Sequence, residues 1–217
     1  MRSDATADNV AHHFVDAAQQ RDAATLGMWV FLVSELMFFG GLFTGYAYYR
    51  STYDAAFAEA SARLDILLGG LNTAVLLGSS LTMALAVRSA QLGESRNTAR
   101  MLLATSVLGI VFLSVKAFEY AHKFHEHLVP GGTFRFNSPR ADQVELFYSF
   151  YFVMTGVHAL HLVIGIVILL LFAARAARGH FSKGYYAPVE TAGLYWHFVD
   201  IIWIFLFPLL YLLGRHA

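Results

Sequence analysis

The chain contains no cysteine. That absence excludes disulfides, thiolate metal sites and cysteine nucleophiles, and it leaves the redox compartment undetermined. Charge of one sign is also missing: 15 basic and 15 acidic residues give a formal net charge of zero. No basic stripe runs along the chain, so nothing points to nucleic acid. Nor does the N-terminus show the basic-then-apolar order of a cleaved leader. Residues Met1 to Thr25 are polar and Ala-rich and read as a retained arm, partly helical. No glycine-rich nucleotide loop, nucleophile triad or haem-attachment motif occurs.

What the chain does have is long uncharged runs. It is 57% hydrophobic, above the usual level for a soluble domain, and the excess is gathered into stretches of membrane-spanning length. Five spans are expected, at about residues 26–49, 66–87, 101–120, 146–174 and 191–214. Each must be a helix, because an open strand would leave backbone groups unpaired in lipid. The fold class is therefore all-α: one polytopic bundle of five transmembrane helices, preceded by the polar arm 1–25. Span four is long for a straight crossing and should tilt or project beyond the bilayer. The connection Ala121 to Glu145 contains Pro130, Gly131, Gly132 and Pro139, which rule out a continuous helix.

Lys and Arg are almost balanced between the two sides, eight against seven, so the total does not orient the chain. The short loops after spans two and four carry three each, and short loops weigh most in the positive-inside rule. They place the N-terminus on the cytoplasmic side and the C-terminus outside.

A few ionisable residues interrupt the runs. Glu35 stands alone inside "GMWVFLVSELMFFGGLF". A charge near the bilayer midplane is costly, so this carboxyl should be protonated, paired or facing a polar cavity. It is either a structural acid bonded to a neighbouring helix or a lipid- or proton-linked site. Gly41 and Gly45, four apart, would let another helix approach closely. His158 and His161 share a face of span four by their i,i+3 spacing, and no third ligand lies nearby in sequence. His122, His125 and His127, with His180 and His197, fall at other depths, which opposes a shared metal pair. His197 and Asp200 are again i,i+3, a spacing that permits a local hydrogen bond. Trp196 and Trp203 flank Asp200 as core residues. Lys116 and Glu119 repeat the spacing near the outer end of span three, where Lys116 can snorkel and the two satisfy each other. Arg175, Arg178 and Lys183 follow span four, where basic side chains meet lipid phosphates or act as topology determinants.

Four blocks together resemble a known family. They are "TLGMWVFLVSELMFFGGLF", "KAFEYAHKF", "FYFVMTGVHALHLVIG" and "ETAGLYWHFVDIIWIFLFPLLYL", and in order and spacing they are similar to subunit III of the haem–copper respiratory oxidases over about residues 19 to 214. The resemblance is to the short, five-helix bacterial form, without the first two helices of the seven-span form and so without one wall of its lipid-holding cleft. It implies a non-catalytic subunit packed against catalytic subunit I in a bacterial inner membrane. Such a subunit stabilises the complex, supports proton uptake and binds phospholipid, while haem and copper sit in subunit I. It also implies roles for single residues. Glu35 matches the family's buried carbodiimide-reactive glutamate. Arg175 is placed like an arginine that meets a lipid phosphate. Glu190 matches another family glutamate, and His158, His161, Trp196, His197 and Asp200 match structural motif positions. Other readings are an accessory subunit of a nitric oxide reductase, a self-standing channel or transporter, and a His-metal membrane enzyme.

Overall fold

A computed structural model describes residues 14–212. Helix α1 (Ala17–Thr52) is followed by the short α2 (Asp54–Ser61), then α3 (Ile66–Gln91), α4 (Ser95–His125), α5 (Ala141–Ala177) and α6 (Ala187–Phe207). A five-residue π-turn, Pro208–Leu212, follows α6. Five of these helices are long and apolar enough to cross a membrane. Among the described residues the only strand-like pairing is a bridge between Ser182 and Tyr185.

The helices extend beyond the apolar runs, and polar side chains cap the N-termini of α1 and α3. Asp16 accepts from Gln19 N at 2.7 Å while the Gln19 side chain accepts from Val15 N at 2.8 Å, so α1 starts within the stretch read as an arm. Residues 1–13 of that arm, and the end of the fifth expected span at Gly214, lie outside the described residues. Asp65 caps α3 by accepting from Leu67 N and Leu68 N. Pro188 in the first turn of α6 costs no hydrogen bond there.

Helices α3, α4, α5 and α6 close a ring, α3 and α5 each packing against both α4 and α6. Helix α1 lies outside this ring against α5 and α6 and is the least buried of the five. The core is aromatic. Trp196 and Trp203 are fully buried, the roles expected of them. Trp196 fills the space where α4 and α5 approach α6. A Cβ at Gly109 would stand 2.8 Å from its ring and one at Gly165 3.0 Å, so both positions need glycine. Trp203 meets Phe112 edge-on at 4.7 Å.

The π-turn is held from outside, because the last carbonyls of a helical segment have no partner within it. Tyr46 of α1 donates to Leu209 O at 3.0 Å, and Ser61 of α2 donates to Leu210 O at 2.8 Å. Each bond contributes about 1 kcal/mol. Tyr46→Phe and Ser61→Ala should each lower the thermal midpoint of the detergent-solubilised protein, and the double variant should show roughly the summed loss.

Candidate functional site

A cleft of about 1080 Å³ opens between α1 and the pair α5 and α6. Its walls are apolar: Met28 and Phe31 of α1 face Ile164, Leu169 and Phe172 of α5 across the gap, with Tyr195 and Trp196 behind. Arg21 and the 182–186 turn, with Ser182, Tyr185 and Tyr186, form a polar end at the side where α1 begins. Glu35 and His161 are also in the lining.

The structure brings those two together although they are 126 residues apart. His161 Nε2 lies 3.2 Å from Glu35 Oε2, and His161 Nδ1 donates to Val157 O at 2.8 Å. The imidazole gives the carboxyl a hydrogen-bonding partner within the bundle. That is how a carboxyl is accommodated at this depth. Tyr195 donates to His161 O at 2.9 Å and ties α6 to the same point. The pair is the polar link between α1 and α5 at mid-span, since the neighbouring glycines do not pack as expected. Only Gly45 meets another helix, at Phe150, while nothing lies within 4 Å of a Cβ placed at Gly40 or Gly41.

The second polar centre is deeper than the sequence suggests. Lys116 and Glu119 do pair, at 3.0 Å, but both are 4% exposed, so Lys116 does not snorkel. Its ammonium also donates to Tyr151 and Tyr211, each at 3.0 Å. Those two hydroxyls in turn donate to Glu119 Oε1, at 2.9 and 2.6 Å. All three ammonium hydrogens are used, and the rings of Tyr151 and Trp203 lie 4.8 and 5.3 Å from the charge.

The remaining candidates stand apart from the cleft. His158 is buried between Phe112 and Trp203, at 5.6 and 5.2 Å between ring centroids, with neither nitrogen bonded. His197 and Asp200 do not bond each other, contrary to their spacing. His197 Nδ1 lies 2.7 Å from Ser80 Oγ of α3, because α3 packs against that face of α6 and offers the closer partner. Asp200 is 3% exposed and lies beside Ser80, with neither oxygen in a formed hydrogen bond. Arg175 is exposed near the end of α5, its guanidinium over Phe172, a cleft residue, at 5.9 Å. Glu190 occupies the first turn of α6, and among the described residues no ion pair joins it to Arg175. Tyr151, Tyr211, Tyr195 and Ser80 were not anticipated as members of these centres. Their partners lie 32 to 117 residues away, beyond any local spacing rule.

These residues do not fit a haem or a metal ion. Among the described residues no three His, Cys, Asp or Glu side chains converge. His161 and His197 are committed to Glu35 and Ser80, and His158 is enclosed by aromatic rings. Fold and site together define a multi-pass membrane protein with an apolar cleft and paired ionisable side chains within the bundle.

The family model for cytochrome c oxidase subunit III matches residues 6–215. A cytochrome c oxidase subunit 3 of Synechocystis is 36% identical over 193 residues, covering 88% of this chain and 76% of the relative. That of Thermostichus vulcanus is 34% identical over 216 residues, covering 99% and 98%. That of Papio hamadryas is 33% identical over 198 residues, covering 87% of this chain but 69% of the relative. The chain belongs to the cytochrome c oxidase subunit III family, and it is matched end to end by a bacterial member while animal members are longer. These relatives favour an oxidase over a nitric oxide reductase.

Proposed function

We propose that this chain serves as the non-catalytic third subunit of a haem–copper oxidase that reduces oxygen to water. In this reading it packs against catalytic subunit I, which carries the haem and copper, in a bacterial inner membrane with the N-terminus cytoplasmic. The observation that carries the proposal is the cleft, with its apolar walls, polar end and mid-depth Glu35–His161 pair.

Apolar walls of this length suit acyl chains, because lipid tails and Leu, Ile or Phe side chains exchange contacts at little cost. A phospholipid seated there has its headgroup at the polar end, within reach of Arg21 and the Tyr185–Tyr186 turn. Arg175, over Phe172 at the same end, supplies a second cation for phosphate. The Glu35–His161 pair keeps α1 at a fixed distance from α5, so the cleft stays open to lipid without α1 separating. A lipid-filled, rigid subunit III then supports the catalytic subunit through repeated turnover and steadies its proton-uptake surface.

The test is capture of the chain through a tag from native membranes in gentle detergent, with the haem spectrum, metal content and partners of the eluate recorded. Haem, copper and oxygen consumption are expected. Haem b and c with non-haem iron and nitric oxide reduction would move the assignment to a nitric oxide reductase, and a haem-free eluate from an intact preparation would return it to a transporter. Within that complex, Glu35→Gln still bonds His161, so bound lipid and the protons pumped per electron should stay at the wild-type level. Glu35→Leu leaves the imidazole without its partner, and bound phospholipid per complex should fall. Loss of pumping in Glu35→Gln with lipid and assembly intact would show that the carboxyl acts in proton transfer instead.

A further inference from the structure

Three exposed hydroxyls within the spans are self-sufficient. Ser34, Thr44 and Ser114 are exposed, and each donates to a carbonyl one turn back in its own helix, at 2.7 to 2.8 Å. Such hydroxyls can face lipid without a partner. His197 is different. It is half-buried on a face of α6 whose other exposed members, Leu194, Ile201 and Ile204, are apolar. Its Nδ1 is used by Ser80. Its Nε2 has no partner among the described residues and is not sealed inside the bundle.

His197 lies ten residues into α6, about 15 Å from its start at 1.5 Å per residue, well inside the hydrocarbon layer. Lipid tails offer nothing to an imidazole there, and headgroup oxygens are out of its reach. Ionisable side chains at this depth face protein or water as a rule. The ring is also held in place rather than free to turn inward: Ser80 fixes Nδ1, and the buried Asp200 carboxyl occupies the space beside Ser80.

We propose that the outward face of α6 around His197 is where a transmembrane helix of the haem-carrying partner subunit docks, presenting a polar group that completes the second hydrogen bond of the His197 ring. The inference rests on the oxidase reading above and adds to it a face and a contact residue. Helix α4, across the ring from α6, is the opposite face.

The test uses the whole complex captured from membranes. A photo-reactive benzoylphenylalanine is placed at Ile204, on the His197 face, or at Val111, at matched depth on the outward face of α4; these positions are 43% and 39% exposed. Crosslinks to the haem-carrying partner are expected from Ile204 and not from Val111. His197→Phe keeps the ring and removes its hydrogen bonds. An interhelical hydrogen bond in a membrane is worth about 0.6–2 kcal/mol, so this variant should retain about three- to thirtyfold less partner through a detergent series. His197→Gln, which restores a donor and an acceptor, should recover part of it. Crosslinks to the partner from Val111 alone would overturn the assignment of the face. Crosslinks from Ile204 to a second copy of this chain would overturn the identity of the partner, and so would wild-type retention by His197→Phe overturn the role of the ring. A wild-type complex that contains no haem partner would remove the oxidase reading itself, a result separable from these.

Discussion

Lys116→Met leaves little folded protein in the membrane. The substitution removes the cation from a carboxylate that is 4% exposed and surrounded by aromatic rings. Breaking one side of a buried ion pair costs about 3–5 kcal/mol, a large fraction of the stability of an ordinary domain. The two tyrosine donors to Glu119 Oε1 remain, so the loss should fall toward the lower end of that range. The informative comparison is the double variant Lys116→Met with Glu119→Leu. Removing both charges also removes their desolvation, and an apolar replacement of similar volume is often neutral. The double variant should therefore accumulate and melt closer to the wild type than either single variant. Membrane abundance and the thermal midpoint in detergent report both effects. A double variant worse than both singles would show that the charges act beyond mutual neutralisation.

Trp196→Ala should rank second. The ring is fully buried, fills the gap left by Gly109 and Gly165, and donates to Ser79 Oγ at 3.0 Å. Truncation leaves a cavity where three helices meet, at a cost of about 3–5 kcal/mol. Trp196→Phe keeps most of the volume and loses the hydrogen bond, so its midpoint should lie between wild type and alanine. Because van der Waals packing is what holds helices together in lipid, the alanine variant should also dissociate first as detergent is raised. A midpoint for Trp196→Ala indistinguishable from wild type would remove the tryptophan from its place as the packing centre.

The spans were legible because the bilayer imposes a length and forbids charge, and both requirements are written in the sequence directly. The short helix α2 carries no such signature and escaped notice. The depth of Lys116 is hidden in the sequence for a physical reason: charges from Lys116 onward resemble the end of a span, but α4 continues to His125, which carries Lys116 inside. Spacing at i,i+3 identified Lys116 with Glu119 and failed for His197 with Asp200. In the first case no competing partner displaces the local one; in the second, Ser80 on α3 takes the imidazole. Glu35 was recognised as needing a partner, but a helix contact across 126 residues leaves no trace in local spacing, so His161 could not be named as that partner. The tyrosines around Glu119 were hidden in the same way, among apolar neighbours in which they read as ordinary core.

The pinned turn at the end of α6 has a consequence in time. Tyr211 is 92 residues downstream of Glu119, to which it donates. At 5–20 residues per second, roughly 5–18 s of synthesis separate the two. During that interval α4 resides in the membrane with its lysine and glutamate short of a hydroxyl partner, and Tyr46 and Ser61 have no carbonyl to meet. The nascent bundle is thus complete in its first four spans yet still open at its most polar point. A ribosome stalled before Tyr211, or a chain truncated at Pro208, presents an unfinished charge pair in lipid. Membrane quality control should recognise such chains at that pair and remove them before they reach a partner.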